Sequence, residues 1–163
     1  YQKSRILTFL DPTRDPLGAG YQITQSKIAI GSGGLFGKGF LNGSQSYLDY
    51  LPEKHTDFIF TLFSEEFGFF GSCLVLAIYV IITLRLVAIG NMVRDTFAKL
   101  YCYSFATAFF IYVAVNMGMV LGLIPIVGAP LPILSYGGSS MLAIMLGLGI
   151  AMSCKIHKEQ HIG

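Results

Sequence analysis

Four ionisable side chains stand within five positions, just ahead of an apolar stretch: Glu53, Lys54, His55 and Asp57. The chain turns apolar at Phe58, and a long hydrophobic run begins at Phe67. Ionisable groups at the mouth of a membrane helix are costly and often functional, so the pattern predicts a site where a charged headgroup meets lipid. The alternative is a helix start that Thr56 or Asp57 caps, with the other charges in solvent.

The composition indicates a membrane protein. The 163 residues are 53% hydrophobic and 12% charged, with a mean hydropathy of +0.63, whereas a soluble domain carries about 25% charged residues. The net charge of +2 and the lack of a basic stripe interleaved with aromatic residues argue against nucleic acid as a partner. None of the three cysteines has C-x-x-C spacing, so we expect buried thiols rather than a zinc site or a disulfide framework.

Hydropathy predicts three membrane spans, at 58–86, 100–124 and 139–154. Between and around them we predict four other segments: an extracytoplasmic loop with short interfacial helices at 1–57, a cytoplasmic loop at 87–99, an extracytoplasmic Pro/Gly loop at 125–138 and a cytoplasmic tail at 155–163. The orientation follows from the short basic segments around Arg94 and Lys155, which the positive-inside rule places in the cytoplasm. Asp57 and the Pro/Gly loop are therefore expected on the same, outer face.

Polar residues inside the spans need partners. Glu65 and Glu66 either face the protein interior, water or a cation, or lie at the headgroup level. Asn116 is isolated in the second span and is predicted to bond another helix, while Gly149 and Ser153 have the small-x-x-x-small spacing of a helix contact.

A glycine-rich segment at 31–40 does not fit a nucleotide site. Phe36 stands where a dinucleotide fingerprint needs glycine, and Ser32 and Gly39 break the P-loop pattern. We predict instead a flexible, close-packed loop in which Leu35, Phe36 and Phe40 touch lipid or a substrate tail.

Four runs together resemble the SEDS family of bacterial shape, elongation, division and sporulation proteins, which includes RodA and FtsW. They are D-P-x-x-D-P-x-G-x-G-Y-Q at 11–22, L-P-E-K-H-T-D-F-I-F at 51–60, S-E-E-F-G-F at 64–69 and P-I-V-G-A-P-L-P-I-L-S-Y-G-G-S-S at 125–140. The resemblance implies an all-α integral membrane protein with ten helices. The chain begins at Tyr1 without Met, and we expect it to be the C-terminal portion of that fold, with about three transmembrane helices and a large extracytoplasmic loop.

The resemblance implies peptidoglycan glycosyltransfer, in which lipid II is polymerised into glycan strands on the outer face of the bacterial inner membrane. A sugar hydroxyl then attacks an anomeric carbon whose leaving group is a lipid diphosphate, and one general base near that hydroxyl is needed. A glycosidase adds a paired acid for its leaving oxygen. A diphosphate leaves as a stable anion, so basic residues or a metal ion can replace that acid.

Matching the motifs residue by residue assigns Asp57 as the general base, or as the ligand of a divalent cation if one is used. The candidates for substrate binding are Glu53, Lys54, His55, Lys27 and Ser135, with Lys38 and Arg14 as further cations for the diphosphate. The competing and more common role for each of these cations is a solvated position in a loop. Ser135, Gly137 and Gly138 are expected to shape the cavity floor. Val127 stands where division-type relatives tend to have lysine, which favours the rod-elongation branch.

The family resemblance implies lipid II, membrane lipid and a class B penicillin-binding protein as partners. Two other functions remain open at this stage. A lipid II flippase would suit the acids Glu65 and Glu66 and a proline-broken loop at membrane depth. A non-catalytic scaffold that activates the penicillin-binding protein is the other.

Overall fold

The computed structural model describes residues 19–40, 42–43 and 56–157. The regular secondary structure in these ranges is entirely helical, in four helices: α1 (Ala19–Gly33), α2 (Ile59–Met92), α3 (Thr96–Val120) and α4 (Gly138–Ile156). Within the same ranges α2, α3 and α4 are long and apolar enough to cross a membrane. The predictions of an all-α membrane protein and of three spans are confirmed.

Helices α2 and α3 form the centre of the described structure, joined by the short connection at 93–95. Burial of Phe58, Phe109, Met119 and Leu131 creates one core near the turn that precedes α2. A second core around Leu86, Cys102, Ala106 and Ala151 lies near the 93–95 connection. Many large apolar side chains on the three spans remain exposed, as expected of helices whose outer faces contact lipid or further helices rather than water.

Three helix boundaries differ from the sequence prediction by four residues or more. One of them is the end of α3, which lies at Val120 and not at residue 124. The predicted loop at 87–99 shrinks to 93–95, because α2 continues through apolar residues to Met92 and α3 begins at Thr96. Asp95 caps α3, since its carboxylate accepts a hydrogen bond from Ala98 N at 3.0 Å. The alternative in which Thr56 or Asp57 is the N-cap residue of α2 is not observed, because the N-cap residue is Phe58, which makes no side-chain capping hydrogen bond.

Helix α2 is broken at Gly68, whose φ of 68° and ψ of −161° are not helical. The break leaves backbone groups without intrahelical partners, and at membrane depth these must be satisfied within the protein. The loop after α1 satisfies them: Phe69 N and Phe70 N donate to Gly34 O and Leu35 O at 2.9 and 3.3 Å. In return, the backbone amides of residues 38 and 39 donate to the carbonyls of residues 65 and 66 at 3.0 and 3.1 Å.

The glycine-rich loop is thus a docking segment for the broken helix. Gly37 has a φ of +79°, and a Cβ atom there would overlap Glu66 O. A Cβ atom on Gly33 would overlap Ser64 O in the same way. Only glycine allows the two backbones to approach this closely, which explains the glycine content that resembled a nucleotide motif.

Glu65 faces the interior of the protein. Its side chain is fully buried and bonds to Lys38 Nζ through Oε1 at 2.7 Å. Of the two alternatives drawn from the sequence, the structure shows the interior one for Glu65, with a lysine as the cation. Glu66 is half-buried.

Helix α4 contacts α3 at a different glycine from the one expected. Gly147 is buried against the Phe105 ring, and Tyr101 Oη donates to Gly147 O at 3.2 Å. At Gly149 an added Cβ atom would meet nothing within 4 Å. The small-residue contact that the sequence predicted at Gly149 and Ser153 is therefore not made within the part of the chain that the structure describes.

Candidate functional site

The candidate site forms where the turn at 56–58 meets the Pro/Gly loop. Two buried side chains hold the backbone of that turn from the other side. Ser135 Oγ donates to Thr56 O at 2.6 Å, and Asn116 Nδ2 donates to Asp57 O at 3.0 Å. The carbonyl groups of Thr56 and Asp57 are therefore both hydrogen-bonded where the turn enters α2, and the Asp57 side chain is half-buried.

The same two side chains hold the Pro/Gly loop. Asn116 Nδ2 also donates to Ala129 O at 2.6 Å, and Ser135 Oγ accepts from Leu131 N at 2.6 Å. The loop presents Gly128, with a φ of +77°, to Asp57: a Cβ atom there would lie 3.4 Å from Asp57 Oδ2. Two motifs that are about 70 residues apart in the sequence thus meet at one carboxylate.

The loop contains a strained turn next to this contact. Ile133 has a φ of 70°, and Leu134 N donates to Pro132 O at 2.9 Å, which is the geometry of a γ-turn centred on Ile133. Such a backbone costs a β-branched residue on the order of 1–3 kcal/mol and persists only where its surroundings fix it. Tyr79 Oη donates to Pro132 O and supplies part of that restraint.

A cavity of about 710 Å³ lies beside the turn. It is lined by Ile59, Ile133, Leu134, Ser135, Tyr136, Gly137, Gly138 and Met141. Its volume falls in the range of small-molecule sites, about 300–1,000 Å³. The predicted floor residues Ser135, Gly137 and Gly138 all line this cavity, while Ser135 uses its hydroxyl for the two backbone contacts described above.

Two of the predicted cations lie among the described residues, at different places in the fold. Lys27 lies at the C-terminal end of α3, where a Cβ atom on Gly122 would overlap its side chain. Ser26 Oγ donates to Val120 O at 2.9 Å and fixes α1 against the same helix end. An ammonium group here faces the negative end of the α3 dipole. Lys38 instead pairs with Glu65.

The structure brings only some of the predicted site residues together. Asp57, Ser135 and Lys27 lie near the same end of α3, whereas Lys38 lies at the kink of α2. Glu53, Lys54, His55 and Arg14 lie outside the described residues. Sequence reasoning missed the partners of Asn116, which are the turn and the loop rather than another helix. A lone asparagine 13 residues before Ala129 and its prolines was the available signal.

A metal site is not apparent in the described ranges. They contain no group of three or more His, Cys, Asp or Glu side chains that could hold an ion. Asp57 could supply one ligand, so a cation there would need its other ligands from water, substrate or residues outside these ranges.

The chain also matches a known protein family. The family model described as "cell cycle protein", covering FtsW, RodA and SpoVE, matches residues 1–160. The chain belongs to this family. The resemblance found in the motifs is therefore confirmed over almost the whole sequence.

Several curated members of the FtsW/RodA/SpoVE family are similar to this chain. The peptidoglycan glycosyltransferase MrdB of Escherichia coli is 50% identical over 159 residues, which is 98% of this chain and 43% of MrdB. The peptidoglycan glycosyltransferase RodA of Treponema pallidum is 46% identical over 94% of this chain and 35% of its own length. The chain thus spans less than half the length of these relatives.

Two solved structures have a fold similar to that of this chain. One chain, from a peptidoglycan synthase complex described as coordinating polymerization and crosslinking, has a TM-score of 0.79 at 34% identity and covers 98% of this chain and 43% of that one. The rod shape determining protein RodA of Thermus thermophilus, solved as an Asp-to-Ala mutant, has a TM-score of 0.65 at 33% identity and covers 77% of this chain and 39% of that one.

Proposed function

We propose that the protein is a peptidoglycan glycosyltransferase that polymerises lipid II into glycan strands during cell elongation. The observation that carries this proposal is the Asp57 carboxylate held over Gly128, at the junction of the two family motifs. The relatives MrdB and RodA are peptidoglycan glycosyltransferases at 50% and 46% identity.

In the proposed reaction, Asp57 accepts the proton of the acceptor sugar hydroxyl. The hydroxyl oxygen forms a bond to the anomeric carbon of the donor, and the bond from that carbon to the lipid diphosphate breaks. One positioned base contributes on the order of 10²–10⁴ in rate. The hydrogen bonds that hold the backbone at Thr56 and Asp57 support this role, because a base must lie within hydrogen-bond reach of the proton it takes.

Lys27 is the described cation that best suits the departing diphosphate. It is exposed at the same end of α3 as Asn116, and charge-assisted contacts from lysine to phosphate are strong. Glu53, Lys54 and His55 remain candidates for substrate contact through the motif they share with Asp57. For Ser135 we propose a different role from the predicted substrate contact, because its buried hydroxyl already holds Thr56 and Leu131.

The site would face the extracytoplasmic side of the bacterial inner membrane, where lipid II carries its sugars. The Pro/Gly loop and the turn at 56–58 lie at one end of the spans, and the basic connection around Arg94 lies at the other. A class B penicillin-binding protein is the proposed partner that would cross-link the strands.

A flippase is the second candidate function. The argument for a flippase relied on Glu65 and Glu66 as intramembrane acids. Glu65, however, is paired with Lys38 of the glycine-rich loop that docks on α2. That pairing supports a structural role for Glu65 better than a role on a transport path. The scaffold alternative is left to experiment.

The test uses the purified full-length protein in liposomes with fluorescent lipid II. Glycan polymer is measured by gel electrophoresis, and movement of lipid II between leaflets is measured in parallel, with Mg²⁺ and with EDTA. Polymer formation supports the proposal. Movement without polymer favours the flippase, and neither activity, with retained binding of the penicillin-binding protein, favours the scaffold.

A further inference from the structure

Asn116 is a buried amide inside an otherwise apolar part of α3. Its side chain is fully buried, and its Oδ1 has no hydrogen-bond partner among the residues the structure describes. Leaving a buried acceptor unpaired is unfavourable, because the group loses its hydrogen bonds to water and gains none. An apolar residue of similar volume would avoid that cost, so the stability of the helix alone does not explain an asparagine here.

The nitrogen of the same side-chain amide explains why an asparagine stands at this position. Nδ2 donates to Asp57 O at 3.0 Å and to Ala129 O at 2.6 Å, so both of its N–H groups are used. The opposite orientation of the amide would set Oδ1 against two carbonyl oxygens. Aspartate, serine and leucine cannot supply two donors from one atom at this position.

The two carbonyls belong to the two sides of the candidate site. One is the carbonyl of Asp57 itself, and the other follows Gly128, over which the Asp57 carboxylate lies. One nitrogen atom therefore bridges the carboxylate-bearing turn and the loop opposite it, beside the second bridge that Ser135 Oγ makes between Thr56 O and Leu131 N.

We infer that Asn116 is a positioning residue for Asp57. This inference rests on the proposed function, in which Asp57 is the base. Asn116 does not touch the substrate. It acts by fixing the Asp57 turn against the Gly128–Ala129 backbone, and a shift of about 1 Å at such a group can cost about 10²-fold in rate.

The test compares two variants in the full-length protein that each remove a buried bond to the same loop. Asn116→Leu removes the contacts to Asp57 O and Ala129 O. Tyr79→Phe is the matched control, because Tyr79 Oη holds Pro132 O and does not contact the Asp57 turn. We expect Asn116→Leu to lower kcat for lipid II polymerisation about 100-fold with KM nearly unchanged. Tyr79→Phe loosens the Pro132 end of the loop but leaves the Asp57 turn held by Asn116, so we expect its loss of kcat to be about tenfold smaller than that of Asn116→Leu.

A second variant, Asn116→Ser, provides the test if Asn116→Leu does not fold. Asn116→Ser keeps one donor and is expected to lower kcat about tenfold, the equivalent of one lost contact of about 1.4 kcal/mol. A wild-type kcat in Asn116→Ser, or in a folded Asn116→Leu, overturns the inference. An equal kcat loss in Tyr79→Phe also overturns it, since the loop and not Asp57 would then be the cause.

Two further measurements separate this inference from the proposed function. In the Asp57→Asn background, Asn116→Leu should cause no further loss of the residual rate, whereas an undiminished 100-fold loss contradicts an action through Asp57. Amide hydrogen exchange at 56–58 and 126–129 should become faster in Asn116→Leu. Unchanged exchange at 56–58 would refute the claim that Asn116 fixes the Asp57 turn. That exchange measurement needs no polymerase activity, so it remains decisive even if lipid II proves not to be the substrate.

Discussion

The backbones of Gly37 and Gly68 are in direct contact, so neither position has room for a side chain. A Cβ atom on Gly37 would lie 2.7 Å from Gly68 N, and one on Gly68 would overlap Gly37 N. Both residues have positive φ values, of 79° and 68°. The pair allows the loop after α1 to supply the hydrogen bonds that the break in α2 leaves open.

Alanine at Gly37 is therefore expected to destabilise the protein. The left-handed backbone alone costs about 1–2 kcal/mol for a residue with a Cβ atom, and the overlap with Glu66 O adds to it. We expect a lower midpoint of thermal unfolding in detergent. Gly31→Ala is the matched control, because an added Cβ meets nothing within 4 Å in helix α1, and it should stabilise by about 0.5–1 kcal/mol. Equal midpoints for the two variants would contradict the docking of the loop.

Removing Lys38 is expected to be costly because Glu65 is fully buried. Lys38→Met withdraws the ammonium at 2.7 Å from Glu65 Oε1. Breaking one side of a buried ion pair typically costs about 3–5 kcal/mol, and we expect a loss near the lower end because Lys38 is 30% exposed. The measurement is the free energy of unfolding of the full-length protein.

The double variant Lys38→Met/Glu65→Gln provides the control for this pair. Removing both charges should restore part of the stability that Lys38→Met loses, because no buried carboxylate is then left without its lysine. Losses that simply add would show that the two side chains are not coupled.

Asp57 and Asp95 are expected on opposite sides of the membrane. Asp57 is held near the end of α3, and Asp95 caps its beginning. In a variant without Cys73, Cys102 and Cys154, a membrane-impermeant thiol reagent should label Asp57→Cys from outside the cell. It should label Asp95→Cys only after the membrane is opened. The reverse pattern would invert the proposed orientation.

The sequence was sufficient for the spans because their apolar runs are long. The composition, the three runs and the charge of the short loops require no knowledge of contacts. The sequence predicted that Asp57 and the Pro/Gly loop lie on the same face of the membrane, but not that they are in contact. The contact itself depends on Asn116, and a single polar residue in a helix does not reveal whether it bonds a helix, a turn or a loop.

The break in α2 could not be predicted from the residues around Gly68 for a similar reason. Phe67-Gly68-Phe69 reads as part of a membrane helix, since one glycine costs a helix only about 1 kcal/mol. The break is favourable because a second segment, at 34–39, satisfies the open backbone groups. That segment is about 30 residues away, so the pattern around Gly68 could not show it. The same long-range docking buries Glu65 against Lys38.

The rate of lipid II polymerisation by Asp57→Asn tests the central claim most directly. The control is Asp95→Asn, the same chemical change at a helix cap where asparagine serves as well as aspartate. We expect Asp57→Asn in the full-length protein to lose about 10²–10⁴-fold in rate while it still binds its penicillin-binding protein, and Asp95→Asn to keep the wild-type rate. A wild-type rate in Asp57→Asn would contradict the assignment of this carboxylate as the base.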